Sequence, residues 1–128
     1  MPAGKLIHVV DDDRGFLKGI ERVLTAHGME VRTFSSAEEF QADADLDEPA
    51  LIILDIHLTG MSGIELLSRL TRSGPRIPVV MVTASDSEAT RRAAMAAGCD
   101  AYLQKPFPSS LLMQALAKAA GPVRWPAG

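Results

Sequence analysis

The sequence has one cysteine, no cluster of basic residues and no long hydrophobic run. Cys99 alone cannot form an internal disulfide. There are 13 Lys and Arg against 16 Asp and Glu, a formal net charge of -3, so nucleic acid and anionic membranes are poor candidates as direct partners. The longest apolar stretches, such as PALIIL, are far shorter than the roughly 20 residues of a membrane span. Because the N-terminal MPAGK has no apolar signal region, we expect a cytoplasmic protein.

The length of the chain limits the number of domains. With 128 residues, 47% of them hydrophobic, it can bury one compact core but is too short for two ordinary domains. We predict one domain over residues 1–120 and a C-terminal tail over residues 121–128. The tail, GPVRWPAG, has the character of a helix stop followed by a short coil. The chain is either a single-domain protein or a piece of a longer one.

Five short β-rich runs alternate with helical patterns. The predicted strands are residues 5–10, 30–34, 50–54, 77–82 and 101–104. The third and fourth are apolar almost without alternation, which is typical of strands buried on both faces of a parallel sheet. Five strand–helix units predict an α/β fold of the doubly wound (βα)5 type, in which ligands bind beyond the carboxyl ends of the strands.

Serines and glycines mark the predicted helix ends. Ser-x-x-Glu capping boxes predict the starts of the second, third and fourth helices, at Ser35, Ser62 and Ser85. Gly98 predicts the end of the alanine-rich fourth helix. The first helix should end near Gly28 and the fifth should begin near Pro108.

The residues that follow the predicted strands form an unusual chemical set. They are Asp11, Asp12, Asp13, Asp55, Thr83 and Lys105. Adjacent carboxylates repel one another, most strongly at low dielectric, so a compensating charge is needed. A hard divalent cation such as Mg2+ prefers oxygen ligands and would provide it. A phosphoryl group could then lie between the cation, the Lys105 ammonium and the Thr83 hydroxyl, with Asp55 as the nucleophile.

Each of these residues also has an ordinary structural interpretation. The three consecutive acids could cap the first helix and complement its dipole, and we expect Asp13 to do so. Asp55 could be a simple strand-end acid, Thr83 a turn hydroxyl and Lys105 a solvated lysine. A single site explains their coincidence at one sheet edge more simply.

Four motifs carry a resemblance to a known family. In order they are VVDDD, IILDIHLTGMSGIELL, VVMVTAS and AYLQKPF, and together they resemble the receiver domain of bacterial two-component response regulators, over about residues 5–119. The resemblance implies strand order 2-1-3-4-5. It also implies a signalling switch rather than a metabolic enzyme. Such a domain takes a phosphoryl group from a histidine kinase or phosphotransfer protein in a Mg2+-dependent reaction, and assists its own phosphorylation and dephosphorylation.

The resemblance also implies a role for individual residues of the metal site. Asp55 resembles the phosphoacceptor and one of the Mg2+ ligands. Asp11 and Asp12 resemble the acidic pair that binds Mg2+, and His57 would offer its backbone carbonyl. Asp13 matches no invariant role.

Further roles follow from the same resemblance. Thr83 and Lys105 would contact the phosphoryl group, Tyr102 resembles the switch aromatic, and the bond before Pro106 is expected to be cis. A downstream protein or a second copy would bind the face formed by the fourth helix, fifth strand and fifth helix.

The loop after Asp55 departs from the family pattern. Members commonly continue with Met-Pro and an Asp before the Gly, where this chain has Leu58, Thr59 and Ser62. The missing Pro removes a backbone restraint, which bears on loop rigidity and phosphoryl lifetime.

Three alternative functions compete with this interpretation. DIHLT partly matches the D-x-D-x-T signature of haloacid-dehalogenase-like phosphatases, but His57 replaces the second Asp and the chain has no room for a cap domain. A flavodoxin-like cofactor binder needs a Ser/Thr/Gly-rich phosphate loop, and DDDRG would repel phosphate. A degenerate receiver used only for docking is conceivable, although every chemical position is filled.

Overall fold

Strands and helices alternate strictly in the computed structural model, which describes residues 6–45, 51–73 and 76–120. The elements are β1 (Leu6–Val10), α1 (Arg14–Ala26), β2 (Glu30–Phe34), α2 (Ala37–Asp43), β3 (Leu51–Asp55), α3 (Gly63–Ser73), β4 (Val79–Thr83), α4 (Glu88–Ala97), β5 (Ala101–Gln104) and α5 (Ser109–Ala120). The five strands pair in parallel in the order β2-β1-β3-β4-β5. This confirms the predicted fold and strand order. The predicted tail, residues 121–128, lies outside the described residues.

The three central strands are buried along their whole length. Every residue of β1, β3 and β4 is buried, as their continuous apolar runs predict. Alternate residues face opposite sides: Ile53 packs into the core beneath α1 and α5, whereas Ile52 and Leu54 pack against α2, α3 and α4. Each such side chain contributes about 2 kcal/mol through burial. None of the helices in the described part of the chain is long and apolar enough to cross a membrane.

β2 and β5 have the predicted bounds, whereas those of β3 and β4 differ from the sequence prediction by one or two residues. β4 begins at Val79 rather than at residue 77, because Pro78 has no N–H to donate to a ladder. The Pro78 carbonyl still accepts a hydrogen bond of 2.9 Å from the Ile52 N–H. β3 and β4 each continue one residue further, so Asp55 and Thr83 are the last residues of their strands. Residues 5 and 50, predicted as strand ends, lie outside the described residues.

Two predicted capping boxes are wrong. The N-cap of α2 is Ser36, whose side chain accepts from the Glu39 N–H, rather than Ser35. The N-cap of α4 is Ser87, which accepts from the Thr90 N–H, rather than Ser85. In both places a second serine lies within two residues, so spacing alone does not identify which one caps the helix.

The remaining helix signals are confirmed. Asp13 caps α1 by accepting a hydrogen bond of 3.2 Å from the Phe16 N–H, and Ser62 accepts one of 3.1 Å from the Glu65 N–H at the start of α3. Gly98 ends α4 with φ of 103°, a left-handed conformation that favours glycine.

A buried histidine completes the core beside α2. His8 is fully inaccessible, its ring stacks on Phe34 at 5.2 Å and meets Phe40 edge-on at 5.7 Å. Burial lowers the pKa of His8 to about 4, so the ring is neutral at physiological pH and packs as an aromatic group.

Candidate functional site

Three carboxylates meet at the carboxyl edge of the sheet. One oxygen each from Asp11, Asp12 and Asp55 lies within 4.8 Å of the other two. Asp11 and Asp55 are buried, while Asp12 is exposed at the mouth of the site. The parallel sheet brings them together because β1 and β3 are neighbours and end at the same edge. This geometry suits an oxygen-liganded divalent cation.

Lys105 supplies a positive charge that contacts this cluster. Its Nζ donates to Asp11 Oδ2 at 2.6 Å and lies 3.9 Å from Asp55 Oδ1. The ammonium also lies 4.1 Å from the centroid of the Phe16 ring. The carboxylate of Asp11 is therefore fully buried but paired with a cation. The peptide bond from Lys105 to Pro106 is cis.

The ionised form of Asp55 is disfavoured in this position. Burial, and then the negative charge of Asp11, raise the pKa of Asp55 to about 6, against the opposing effect of Lys105. The His57 N–H is 3.4 Å from Asp55 Oδ1, too long for a strong bond. A cation in contact with Asp55 would favour its ionised form.

Thr83 lies at the same edge with its hydroxyl already engaged. The side chain is fully buried, and Oγ1 accepts from the Ser85 N–H at 3.0 Å and donates to the Ser85 carbonyl at 3.2 Å. The hydroxyl therefore fixes the start of the β4–α4 loop in this structure.

Tyr102 is held by two charged side chains from the region of α4. Its Oη donates to Asp86 Oδ1, and Arg91 Nη2 donates to Asp86 Oδ2 at 3.0 Å. Burial, followed by the hydrogen bond to Asp86, raises the pKa of Tyr102 to about 12. Tyr102 was expected here from the sequence. Asp86 was not, since no pattern links position 86 to position 102.

The β3–α3 loop, residues 56–62, is held by two carboxylates from other elements. The N–H and the hydroxyl of Thr59 both donate to Asp12 Oδ2, at 3.1 and 2.9 Å. The Met61 N–H donates to Glu38 Oε2 at 3.1 Å. These contacts restrain the loop in which Thr59 stands where the family commonly has Pro. Sequence reasoning missed both, because the partners are 47 and 23 residues away.

A glycine allows α3 to approach the end of β3. A Cβ on Gly63 would overlap the carbonyl oxygen of Asp55, a backbone atom that has little freedom to move. The Gly63 N–H donates to the Ile56 carbonyl at 2.9 Å. Only glycine therefore permits this packing beside the acidic cluster.

The family is shown by comparison with known proteins. The family model described as "Response regulator receiver domain" matches residues 7–117, so the chain belongs to that family. It is 35% identical over 101 residues to the response regulator MprA of Mycolicibacterium vanbaalenii, covering 79% of this chain and 44% of that protein. The chain spans about half the length of the full-length relatives it matches.

Solved structures agree with this assignment. A CheY-like receiver domain protein of Methanospirillum hungatei superposes with a TM-score of 0.83 at 31% identity, covering 91% of this chain and 93% of that one. A response regulator of Burkholderia pseudomallei, solved with a phosphorylated aspartic acid, calcium ion and citrate, has a TM-score of 0.79 at 30% identity, covering 91% and 68%. Receiver domains are signalling switches, and this family assignment excludes the phosphatase and flavodoxin-like alternatives.

Proposed function

We propose that this chain accepts a phosphoryl group on Asp55 and thereby switches its protein contacts. The observation that carries the proposal is the clustering of three carboxylate oxygens within 4.8 Å, with the Lys105 ammonium 3.9 Å from Asp55. A related response regulator solved with a phosphorylated aspartic acid and a calcium ion supports it. The donor would be a histidine kinase or phosphotransfer protein in the cytoplasm.

The acidic cluster fits Mg2+ by the chemistry of its donors. Asp11, Asp12 and Asp55 would hold the cation, and His57 would add its backbone carbonyl. Bound Mg2+ would neutralise charge on the transferring phosphoryl group. Burial and the charge of Asp11 raise the pKa of Asp55 more than Lys105 lowers it, so a further positive charge beside Asp55 would be favourable.

The chain's own groups account for the rest of the transfer. A carboxylate oxygen of Asp55 attacks the phosphorus of phosphohistidine and forms a P–O bond. The P–N bond breaks, its electron pair stays on the imidazole nitrogen, and that nitrogen takes a proton from water. Lys105 and Thr83 would then bind the phosphoryl oxygens. Later attack by water returns the carboxylate and inorganic phosphate.

The readout of phosphorylation would be a changed surface on α4, β5 and α5. Tyr102 lies in this face, together with the exposed side chains of Met95 and Leu111. A downstream protein or a second copy of the chain would bind there. We expect no direct contact of this face with nucleic acid or a membrane.

Phosphorylation by acetyl phosphate with Mg2+, followed by intact-mass measurement, tests the proposed function. Wild type should gain one phosphoryl group, and Asp55→Asn should gain none. Asp13→Asn is the matched control, because it neutralises an adjacent acid while asparagine still caps α1. Chelation of Mg2+ should abolish the mass increase. Equal labelling of Asp55→Asn, or no labelling of wild type, would contradict the proposal, and the second result would favour a docking-only receiver.

A further inference from the structure

We propose that Thr59 is a positioning residue for the metal site, which acts by fixing the carboxylate of Asp12. Its hydroxyl and its N–H donate to the same oxygen, Asp12 Oδ2, at 2.9 and 3.1 Å. The other oxygen, Oδ1, accepts no hydrogen bond among the described residues, and each carboxylate oxygen has lone pairs that a cation could use. This inference rests on the proposed Mg2+-dependent function.

Asp12 is the member of the acidic cluster that needs such support. Asp11 is fully buried and held by Lys105 and by the Asp13 N–H at 2.9 Å. Asp55 is buried as the last residue of β3. Asp12 is exposed, and Thr59 supplies every hydrogen bond that its side chain makes among the described residues. Without Thr59, the Asp12 side chain would rotate freely and lose entropy on binding a cation.

The contact is specific to the residue present at position 59. The receiver family commonly has Pro at this position, and Pro has neither an N–H nor a hydroxyl, so it could form neither bond. Here Thr59 joins the β3–α3 loop to the loop after β1, across 47 residues of sequence. One side chain therefore replaces the restraint of the missing Pro and orients a metal ligand.

Partners that orient metal ligands typically change metal affinity by about 10- to 100-fold when removed. Asp12 and Thr59 are both exposed, and the hydrogen bond from the Thr59 N–H remains when only the side chain is changed. We therefore expect loss of the hydroxyl to weaken Mg2+ affinity by about 3- to 10-fold, at or below the lower end of that range. The expected direction is weaker Mg2+ binding, because a fixed ligand loses less freedom on binding than a free one.

The test is calorimetric titration of the unphosphorylated protein with Mg2+. Thr59→Val removes the hydroxyl but keeps the shape and the N–H, and should weaken Mg2+ binding about 3- to 10-fold. Thr59→Ser restores a hydroxyl and should bind within about twofold of wild type. Thr25→Val, at an exposed position near the end of α1, is the control for loss of a threonine hydroxyl and should leave the affinity unchanged.

A double-mutant cycle separates positioning from a general effect on the loop. If Thr59 acts through Asp12, Thr59→Val should have no further effect on Mg2+ affinity in an Asp12→Asn background. Unchanged or tighter Mg2+ binding by Thr59→Val would overturn the inference while leaving Asp55 phosphorylation intact. Absence of Mg2+ binding by wild type would overturn both this inference and the proposed metal dependence.

Discussion

The Tyr102 hydroxyl donates a hydrogen bond of 2.7 Å to Asp86 Oδ1, which ties β5 to the loop that precedes α4. The guanidinium of Arg91 also binds Asp86 and lies 5.2 Å from the centroid of the Tyr102 ring. Each of the three side chains thus contacts the other two. Rotation of the Tyr102 ring must break its contacts with Asp86 and Arg91. The strength of these contacts therefore determines how readily the ring can move.

We predict that Asp86→Asn lowers the pKa of Tyr102 from about 12 towards its ordinary value of 10. The negative charge of Asp86 disfavours tyrosinate, whereas burial, the larger cause, remains in the variant. Because the chain has one tyrosine, ultraviolet absorbance of tyrosinate reports this residue alone. The control is Glu88→Gln, which removes an equal charge that pairs with Arg92. Similar decreases in both variants would contradict a specific contact.

Asp55→Asn should stabilise the metal-free fold at neutral pH. Burial and Asp11 raise the pKa of Asp55 from 3.8 to about 6, so between these values the folded chain binds more protons than the unfolded one. The contribution of Asp55 to the free energy of unfolding therefore falls as pH rises through this window. Asparagine does not ionise. We therefore expect the free energy of unfolding of Asp55→Asn to be about 1 to 3 kcal/mol higher than that of wild type at neutral pH.

Urea denaturation in the presence of a chelator measures this difference. Other acids, including Glu38 and Asp86, have lowered pKa values and give stability an opposite pH dependence, but their effects cancel between wild type and variant. The advantage of Asp55→Asn should vanish below about pH 4 and shrink when Mg2+ stabilises wild type. A gain that did not vary with pH would rule out the raised pKa as its cause.

Gly19 in α1 and Gly63 in α3 should respond oppositely to replacement by alanine. Gly63→Ala places a Cβ against the Asp55 carbonyl, so α3 must shift. We expect this to lower the free energy of unfolding by about 1 to 3 kcal/mol. The added Cβ of Gly19→Ala, in α1, meets no atom within 4 Å beyond the backbone of its own helix, and the variant should unfold with a free energy about 0.5 to 1 kcal/mol higher because alanine has the better helix propensity. Denaturant unfolding measures both. A Gly63→Ala protein as stable as wild type would show that the close approach is not a constraint.

The core of the fold was predictable because its central strands have no exposed face. The continuous apolar runs of β3 and β4 leave few other positions for residues 51–55 and 79–83, and the strand-end rule then places Asp55, Thr83 and Lys105 at one edge. Helix starts were less predictable, since Ser35 and Ser36 lie side by side and only the backbone conformation selects Ser36.

The contacts that restrain the site could not be predicted from the sequence. Thr59, Glu38 and Asp86 find partners 47, 23 and 16 residues away, through conformations of loops that no periodic pattern specifies. Their residue types are also common in loops, so composition carries no signal. The strand order predicts which chemical groups lie at the site. The hydrogen bonds that hold these groups in place depend on the conformations of loops.

We predict that a phosphoryl group on Asp55 affects Tyr102 through the β4–α4 loop. The Thr83 hydroxyl now donates to the Ser85 carbonyl, and it can bind a phosphoryl oxygen only by releasing that bond. Ser85 directly precedes Asp86, which holds Tyr102. Release of the β4–α4 loop should therefore weaken the set of Asp86, Arg91 and Tyr102, and shift the population towards a state with a different α4–β5–α5 face.

NMR chemical-shift mapping with Mg2+ and beryllofluoride, a phosphoryl mimic, tests this route. In wild type we expect changes at Tyr102 and Arg91 as well as around Asp55, because the loop carries the displacement between them. Thr83→Ala should bind beryllofluoride yet lose most of the change at Tyr102, whereas Thr33→Ala, on the exposed part of β2, should behave as wild type. Shifts confined to the surroundings of Asp55 in wild type, or unaltered Tyr102 shifts in Thr83→Ala, would show that the signal does not pass through Thr83.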